Sequence, residues 1–230
     1  PVAFKVSKKV ISRDALFYMI SVFLLIILLI YFKVWGLGVA AVLLLVYLMY
    51  IKDIVSHTKQ HRKKKKKTKT RRKNIKREFL IFFGTMILIG ISTFILTKYS
   101  IGLSTILGVS PIIIAFTITA AATSIPDTVI SVANARKGDI DDATSNVFGS
   151  NVFDILVGIG LPLLIYILYK GALAIQFTNL EIVLGLLGST ILILYFFADD
   201  HKLSKKQAAL LLLMYLAFLA YVIFLSINPL

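Results

Sequence analysis

Two short polar motifs place aspartates inside apolar stretches of the chain. The first motif, Ala-Ala-Ala-Thr-Ser-Ile-Pro-Asp, ends at Asp127, and the second, Gly-Ser-Asn-Val-Phe-Asp, ends at Asp154. Residues three and four apart lie on the same face of a helix, so each aspartate is expected to have two oxygen-bearing neighbours beside it. These neighbours are Thr123 and Ser124 in the first motif, and Ser150 and Asn151 in the second.

Backbone oxygens are expected to join these side chains. Pro126 has no N–H to donate to the carbonyl of Ala122, and Gly149 loosens the second helix. Ala120, at the start of the first motif, is included in the predicted ligand set. Carboxylate, hydroxyl and carbonyl oxygens are the hard donors that suit Na⁺ or Ca²⁺. The pattern therefore predicts a cation site formed by two helices.

The free-energy cost of placing two aspartates in membrane helices indicates that they have a function. An aspartate at the centre of a membrane helix costs about 2.5–3.5 kcal/mol on insertion scales. The alternative interpretation is that both carboxyl groups are protonated or satisfied within the helix bundle and serve packing. Duplicated polar surroundings argue against that alternative, because packing does not require the same residues twice.

The elements that position these motifs are predicted to be membrane spans. The chain is 58% hydrophobic and 16% charged, with a mean hydropathy of +0.88, which excludes an ordinary soluble domain. Long apolar runs predict an all-α polytopic membrane protein. A signal peptide is disfavoured because the first apolar run is too long and no small-residue cleavage site follows it. Seven spans are predicted, at 15–34, 37–54, 79–98, 105–135, 143–169, 179–198 and 206–227.

The basic residues predict an orientation. With odd-numbered spans leading out of the cytoplasm, all of the 26 lysines and arginines except Lys33, Lys98 and Lys170 fall on the cytoplasmic side. By the positive-inside rule, the N-terminus is then cytoplasmic and the C-terminus is outside. We expect an integral protein of the cell membrane, with membrane lipid as its surroundings.

The basic stretch at 57–77 is interpreted as a solvated cytoplasmic loop that helps to fix topology. Docking onto anionic lipid headgroups is a further possible role, at about 1 kcal/mol per basic residue. Binding to nucleic acid is disfavoured, because no aromatic residues are interleaved and the stretch is tethered between spans. Three acidic residues between the fourth and fifth spans are expected to cap the next helix and to stay solvated: Asp139, Asp141 and Asp142.

A weak internal similarity suggests a repeat. Residues 43–48 resemble residues 211–216, and Tyr31-Phe32 resembles Tyr195-Phe196. Spans one and two would then correspond to spans six and seven, as in transporters built from inverted repeats. Three spans of the first repeat would be missing, and a start at Pro1 rather than Met agrees with a truncated polypeptide.

Residues 121–127, Gly138 and residues 149–154 resemble the second α-repeat of the sodium/calcium exchangers. The potassium-dependent branch is especially similar, since it has aspartate in both motifs. The resemblance implies a ten-span inverted-repeat fold, of which this chain would hold spans four to ten. Residues 1–55 would end the N-terminal repeat, residues 56–77 would form the loop, and residues 78–230 would form the C-terminal repeat, with the α-repeat at 108–162. By the same resemblance, the hydroxyl, amide and carboxylate residues of both motifs would line the ion site. The first α-repeat is absent, so its ligands would come from an upstream segment or from a second chain.

The predicted function is an antiporter that exchanges Ca²⁺ for Na⁺ by alternating access, with no cofactor and with K⁺ as a possible additional substrate. A proton-coupled exchanger is the first alternative, although its relatives carry a histidine beside the acidic residue and none lies in the spans here. An enzyme is not expected: an intramembrane aspartyl protease would need Gly-x-Gly-Asp, which neither motif has. The remaining alternative is a fragment that does not transport.

Overall fold

The computed structural model describes residues 4–64, 75–109, 111–175, 180–198 and 202–227, and these form mostly helices. The α-helices are α1 Lys8–Val10, α2 Leu16–Tyr31, α3 Leu37–Lys64, α4 Ile75–Leu107, α5 Pro111–Ile114, α6 Ala120–Arg136, α7 Ile140–Lys170, α8 Leu180–Ala198 and α9 Lys205–Ile227. Two π-helical segments, Ile11–Ala15 and Ala115–Thr119, connect α1 to α2 and α5 to α6. The four strands are β1 Phe4–Lys5, β2 Val34–Trp35, β3 Leu173–Ala174 and β4 Lys202–Leu203.

Four helical stretches are long and apolar enough to cross a membrane, judged by length and composition: Ser12–Tyr31, Leu37–Ser56, Lys76–Leu107 and Ile140–Lys170. A shorter apolar helical stretch covers Leu187–Phe196. These findings support an all-α membrane protein. The count of seven spans, the inverted repeat and the three-part division of the chain stay predictions.

The predicted boundary between the third and fourth spans is wrong. The sequence placed a loop between residues 98 and 105, whereas α4 continues to Leu107 and α5 begins at Pro111. The chain turns at Gly108, whose φ of +66° lies in the left-handed region that favours glycine. Pro111 then suits the first turn of a helix, where its missing N–H is not needed. Lys98 therefore lies within α4 rather than in a loop.

The second span also differs from its predicted end at residue 54, because α3 runs on to Lys64. This extension enters the basic stretch that was interpreted as a loop. Residues 65–74 of that stretch lie outside the described residues, and its interpretation stays a prediction.

The described residues form two compact units. The first lies within Pro1–Gln60 and Asp127–Leu211, and the second within His61–Pro126 and Leu212–Leu230. In the first unit, β1 pairs antiparallel with β4, and β2 pairs antiparallel with β3. Each pair joins segments that the predicted topology places on one side of the membrane.

The core of the first unit lies where α2, α3 and α7 pack together. Val22, Leu43, Val152 and Leu156 are fully buried there. Gly160 of α7 lets α3 come close: a Cβ at this position would lie 3.1 Å from the Cβ of Leu43. Small residues allow such close approach between membrane helices, where dispersion contacts drive association.

The second unit contains α4, α5 and the first part of α6. The Thr119 hydroxyl donates a hydrogen bond of 2.9 Å to the Ser100 hydroxyl and so joins the π-helical segment to α4. Ile114 and Ser104 are buried, whereas most apolar side chains of α4 are exposed. Such an apolar surface fits a helix that faces lipid.

Candidate ion-binding site

The first motif lies on α6, directly after the π-helical segment Ala115–Thr119. The Thr123 hydroxyl bonds back to its own helix, at 3.0 Å from the carbonyl oxygen of Thr119 and 3.1 Å from that of Ala120. The Ala120 carbonyl, a predicted ligand, is thus partly engaged by Thr123. Ser124 is exposed. Insertions of π-helix are frequent at functional sites, because they widen one turn and redirect side chains.

The second motif lies on α7, and its neutral side chains also bond to their own helix. The Ser150 hydroxyl donates to the carbonyl oxygen of Val147 at 3.2 Å, and the Asn151 amide donates to the same oxygen at 2.8 Å. Both side chains use their donors in these bonds, so the side-chain carbonyl oxygen of Asn151 and the hydroxyl oxygen of Ser150 can still act as acceptors. Asn151 and Asp154 are exposed, so α7 presents these oxygens outward from the core.

The two predicted carboxylates both belong to the first unit. The backbone carbonyl of Asp127 accepts a hydrogen bond from the Asn146 amide of α7, the helix that carries Asp154. Within the described ranges, no lysine or arginine forms an ion pair with either residue. Two like charges without a protein cation nearby favour a bound cation electrostatically.

The boundary between the two units falls inside α6, between Pro126 and Asp127. Thr123, Ser124 and Ala120 therefore belong to the second unit, whereas Asp127 and the α7 residues belong to the first. Along α6 itself, Thr123 and Asp127 are one helical turn apart, as the sequence predicts. The assignment of all seven predicted ligands stays a prediction.

Asn146 is a residue of this region to which the sequence reasoning gave no role. Its amide donates to the carbonyl oxygen of Asp127 at 3.1 Å and to the hydroxyl of Ser131 at 3.0 Å. It therefore ties α7 to α6 beside the first carboxylate. Asn146 lies eight residues before Asp154, which is just over two helical turns. This spacing is the feature of the sequence that could have indicated a role for Asn146.

Asp14 is the second residue without a predicted role, because the first span was taken to begin at residue 15. It is completely buried and lies within the helical stretch Ser12–Tyr31. The signal in the sequence was the adjacent pair Arg13-Asp14 at the edge of an apolar run.

An apolar cavity of about 830 Å³ lies in the first unit next to the second motif. Asn151 and Ser131 contribute polar groups to its wall, and Arg136 lies at the end of α6 that faces it. Tyr18 and Phe148 line the same cavity, with ring centroids 5.8 Å apart. One predicted ligand thus faces a space large enough for water and a hydrated ion.

The loop between α6 and α7 agrees with the sequence in part. Gly138 ends α6 with a φ of +85° and donates to the carbonyl oxygen of Ala135. Asp139 occupies the N-cap position of α7, but its side chain makes no capping hydrogen bond there. The expected cap is therefore wrong for this side chain. Asp141, in the first turn of α7, accepts a hydrogen bond of 2.7 Å from the backbone N–H of Ser7. All three aspartates are exposed, as expected.

No group of three or more acidic, histidine or cysteine side chains that could hold a metal ion occurs in the part of the chain that the structure describes. The candidate site therefore offers two carboxylates and neutral oxygens. Ca²⁺ takes six to eight oxygen ligands in proteins. Further ligands are needed to complete such a shell.

Comparison with known proteins gives one family. The sequence model of the family described as sodium/calcium exchanger protein matches residues 77–224. Sodium/potassium/calcium exchanger 1 of Bos taurus is 35% identical over 161 residues, which cover 69% of this chain and 13% of that protein. Sodium/potassium/calcium exchanger 2 of Mus musculus is 42% identical over 97 residues, 41% of this chain and 15% of that protein. Sodium/potassium/calcium exchanger 3 of Homo sapiens is 38% identical over 127 residues, 53% of this chain and 20% of that protein.

The matched segments thus span between 13% and 20% of the length of these three curated relatives. No solved structure matches the chain. The family match includes both polar motifs and covers more than half of the sequence. The chain belongs to the sodium/calcium exchanger protein family.

Proposed function

We propose that this chain supplies one half of the cation-binding site of an antiporter that exchanges Ca²⁺ for Na⁺ by alternating access. The observation that carries the proposal is the pair Asp127 and Asp154, two carboxylates on helices α6 and α7, which Asn146 joins, without a lysine or arginine ion pair in the described ranges. Ionised carboxylates in membrane spans are energetically unfavourable unless a cation neutralises them. In this proposal, the transported cation is what neutralises the two carboxylates.

The proposed ligands are the two carboxylates with oxygens of Thr123, Ser124, Ser150 and Asn151 and the carbonyl of Ala120. Membership of the exchanger family supports Ca²⁺ as a substrate. The remaining ligands would come from the first α-repeat, in an upstream segment or a second chain. Alternating access would then expose the same carboxylates to each side of the membrane in turn.

The proposed topology has a cytoplasmic N-terminus in this chain and an outside C-terminus. The orientation rests on the distribution of basic residues, whereas two strand pairs support only which segments share a side. The β1–β4 pair joins two segments predicted to be cytoplasmic, and the β2–β3 pair joins two segments predicted to be outside. Placement in the cell membrane is part of the same proposal.

The test is uptake of radioactive Ca²⁺ into proteoliposomes that contain the full-length protein. Outward Na⁺ gradients are compared with pH gradients, each with and without K⁺, because the relatives are named for potassium as well. Uptake driven by Na⁺ and lost in Asp127→Asn supports the proposal. Asp142→Asn is the matched control, since Asp142 is an exposed aspartate in the first turn of α7, about three helical turns from Asp154.

Uptake driven only by a pH gradient would replace Na⁺ by H⁺ as the coupling ion and would overturn that part of the proposal. No uptake of Ca²⁺ with any gradient, in protein shown to be folded, would overturn the proposed exchange. Equal loss of uptake in Asp127→Asn and Asp142→Asn would contradict the assigned site.

A further inference from the structure

A buried polar cluster joins the first two spans to α7. We name it the anchor cluster, and it consists of Arg13, Asp14, Tyr50 and Ser145. Arg13 donates two hydrogen bonds to the Asp14 carboxylate, from Nε to Oδ1 at 2.6 Å and from the terminal guanidinium nitrogen to Oδ2 at 2.8 Å. The Ser145 hydroxyl donates to Oδ2 at 2.5 Å, and the Tyr50 hydroxyl donates to Oδ1 at 3.3 Å. Arg13 also reaches the Ser145 hydroxyl at 3.3 Å.

The local backbone makes this pairing of neighbours possible. Side chains of adjacent residues in an α-helix do not face each other. Arg13 and Asp14 lie in the π-helical segment Ile11–Ala15, whose wider turn changes the direction of their side chains. Asp14 is fully buried, and the Arg13 side chain keeps 15% of its surface exposed. The carboxylate therefore has its counter-charge and its hydrogen bonds within the protein.

The anchor cluster contacts the side of α7 that lies opposite the predicted ligands. An α-helix turns by about 100° per residue, which puts Asp154 about 180° around the helix from Ser145. By the same arithmetic, Gly149, Val152 and Leu156 lie within about 40° of Ser145, and the last two are completely buried. Any rotation of α7 that breaks the Ser145 contact therefore also turns Asp154.

A second contact fixes α7 on the same side. A Cβ atom at Gly149 would lie 3.0 Å from the Tyr50 hydroxyl oxygen, so this glycine leaves room for that hydroxyl. The Tyr50 ring cannot easily give way, because Phe17 packs against it at 5.1 Å between centroids and Tyr47 at 6.3 Å. Tyr50 thus meets both the carboxylate of Asp14 and the backbone of α7.

We propose that the anchor cluster is a positioning device that sets the rotation of α7 and so aims Asn151 and Asp154 at the transported cation. Its residues are positioning residues, because they lie on the side of the helix away from the proposed ligands. For its transport readout the inference rests on the function proposed above. It adds that residues near the predicted start of the first span govern cation affinity.

The test uses Gly149→Ala, Tyr50→Phe and the double variant in the full-length protein, reconstituted for uptake of radioactive Ca²⁺. The added methyl group in Gly149→Ala pushes against the Tyr50 hydroxyl and turns α7. We expect the half-saturating Ca²⁺ concentration to rise by about threefold to tenfold, roughly the factor that one hydrogen bond is worth. Tyr50→Phe removes the obstructing oxygen, so the double variant should return to within about twofold of Tyr50→Phe alone.

Gly188→Ala is the matched control, because it makes the same substitution in α8 with nothing within 4 Å of the new Cβ. It should leave the half-saturating concentration unchanged in either background. Two results would overturn the inference: an unchanged half-saturating concentration in Gly149→Ala, or a Gly149→Ala effect in the Tyr50→Phe background as large as in the unmodified protein. A purely structural role would lower the yield of folded protein and leave the affinity of the folded fraction as it was.

A second readout needs no transport, so failure of the proposed function remains distinguishable. These 230 residues contain no cysteine, so Asn151→Cys introduces the one cysteine of this segment. Any cysteine elsewhere in the full-length protein is first replaced by serine, and the new site is labelled with a hydrophilic maleimide in the absence of Ca²⁺. Gly149→Ala should change the labelling rate at least about threefold, and Tyr50→Phe should restore it, because rotation alters the exposure of this face. An unaltered labelling rate would show that α7 has not turned and would contradict the positioning role. Absence of Ca²⁺ uptake in the unmodified protein, with the labelling change present, would contradict only the proposed exchange.

Discussion

Asp14 and Asp154 are carboxylates in two apolar helices of the same unit, and their surroundings are opposite. Asp14 is completely buried, with a guanidinium and two hydroxyls bonded to it. Asp154 is exposed and forms no ion pair with a lysine or arginine of the described residues. Both lie on helical stretches that qualify as membrane spans by length and composition. Asp14 has a structural role and is neutralised by an arginine of the protein. A carboxylate that binds a transported ion must instead have no permanent ion pair with a protein cation.

The difference has an energetic basis. Removing one partner of a buried pair leaves the other charge uncompensated, and this is much more costly than replacing both partners by apolar groups. A carboxylate without a permanent partner gains stability only when its cation binds. The two aspartates should therefore respond in opposite ways to the same substitution.

The largest effect is expected on stability in Asp14→Asn. Loss of the carboxylate leaves the mostly buried guanidinium of Arg13 without its counter-charge, and we expect the free energy of unfolding to fall by about 3–4 kcal/mol. Denaturation of the purified protein in mixed micelles, followed by circular dichroism, measures this change. A loss below about 1 kcal/mol, close to the range of ordinary surface substitutions, would mean that Asp14 is no more important for stability than Asp154 is expected to be.

The next effect is on transport in Asp154→Asn. Because Ca²⁺ affinity depends on the number of charged ligands, we expect Ca²⁺ uptake at limiting Ca²⁺ to fall on the order of 100-fold. Stability without Ca²⁺ should stay within about 1 kcal/mol of the unmodified protein, since no ion pair is lost. The assay is uptake at several Ca²⁺ concentrations, with Asp142→Asn as control. Normal exchange in Asp154→Asn would contradict its assigned role.

A smaller effect is expected where a buried polar pair carries no charge. The Thr190 hydroxyl donates a hydrogen bond of 3.1 Å to the Tyr18 hydroxyl, which joins α8 to α2. Replacing Thr190 by the similarly shaped Val should cost about 0.6–1 kcal/mol, as for other hydrogen bonds between membrane helices. The same denaturation experiment measures it, and Tyr18→Phe should show a similar loss. A cost equal to that of Asp14→Asn would mean that charge is not what makes the anchor cluster important for stability.

The smallest effect is expected when both charges of the anchor cluster are removed together. In Arg13→Met with Asp14→Leu, no charge is left unpaired, and stability should return to within about 1 kcal/mol of the unmodified protein. Cation affinity should nevertheless decrease, because Ser145 loses the carboxylate that holds α7 in place. If the double variant has restored stability and unchanged cation affinity, the anchor cluster does not set the rotation of α7, and the proposed positioning role is contradicted.

The sequence predicts the helical class and the two motifs because their signals are local. Apolar runs mark most of α2, α3 and α7, and the spacing of Thr123 and Asp127 on one helix follows from helical periodicity. The turn at Gly108 was misplaced, since Lys98 and the polar residues after it suggested a loop where the helix continues. The predicted cap at Asp139 was wrong because the backbone there, with φ −84° and ψ 64°, does not have the extended conformation of a capping residue.

The anchor cluster could not be predicted from the sequence, because its contacts join residues that are far apart in the chain. Asp14 and Ser145 are separated by 131 positions and meet only because α2 packs against α7. The contact between Gly149 and Tyr50 likewise depends on how two helices pack. Periodicity shows which residues share a face of one helix, but it does not show which face of another helix that surface will meet.

The short pairing between β1 and β4 has a consequence for the order in which the protein is made. Phe4 pairs with Leu203, so β1 meets its partner strand only after the residues between the two strands have been synthesised. At about 5–20 residues per second, that interval is on the order of 10–40 s. The N-terminal strand waits throughout with an unpaired edge while the intervening helices are inserted. Formation of this pair thus signals that the helices between its two strands have already emerged, and it closes the first unit as one of the last events of its biogenesis.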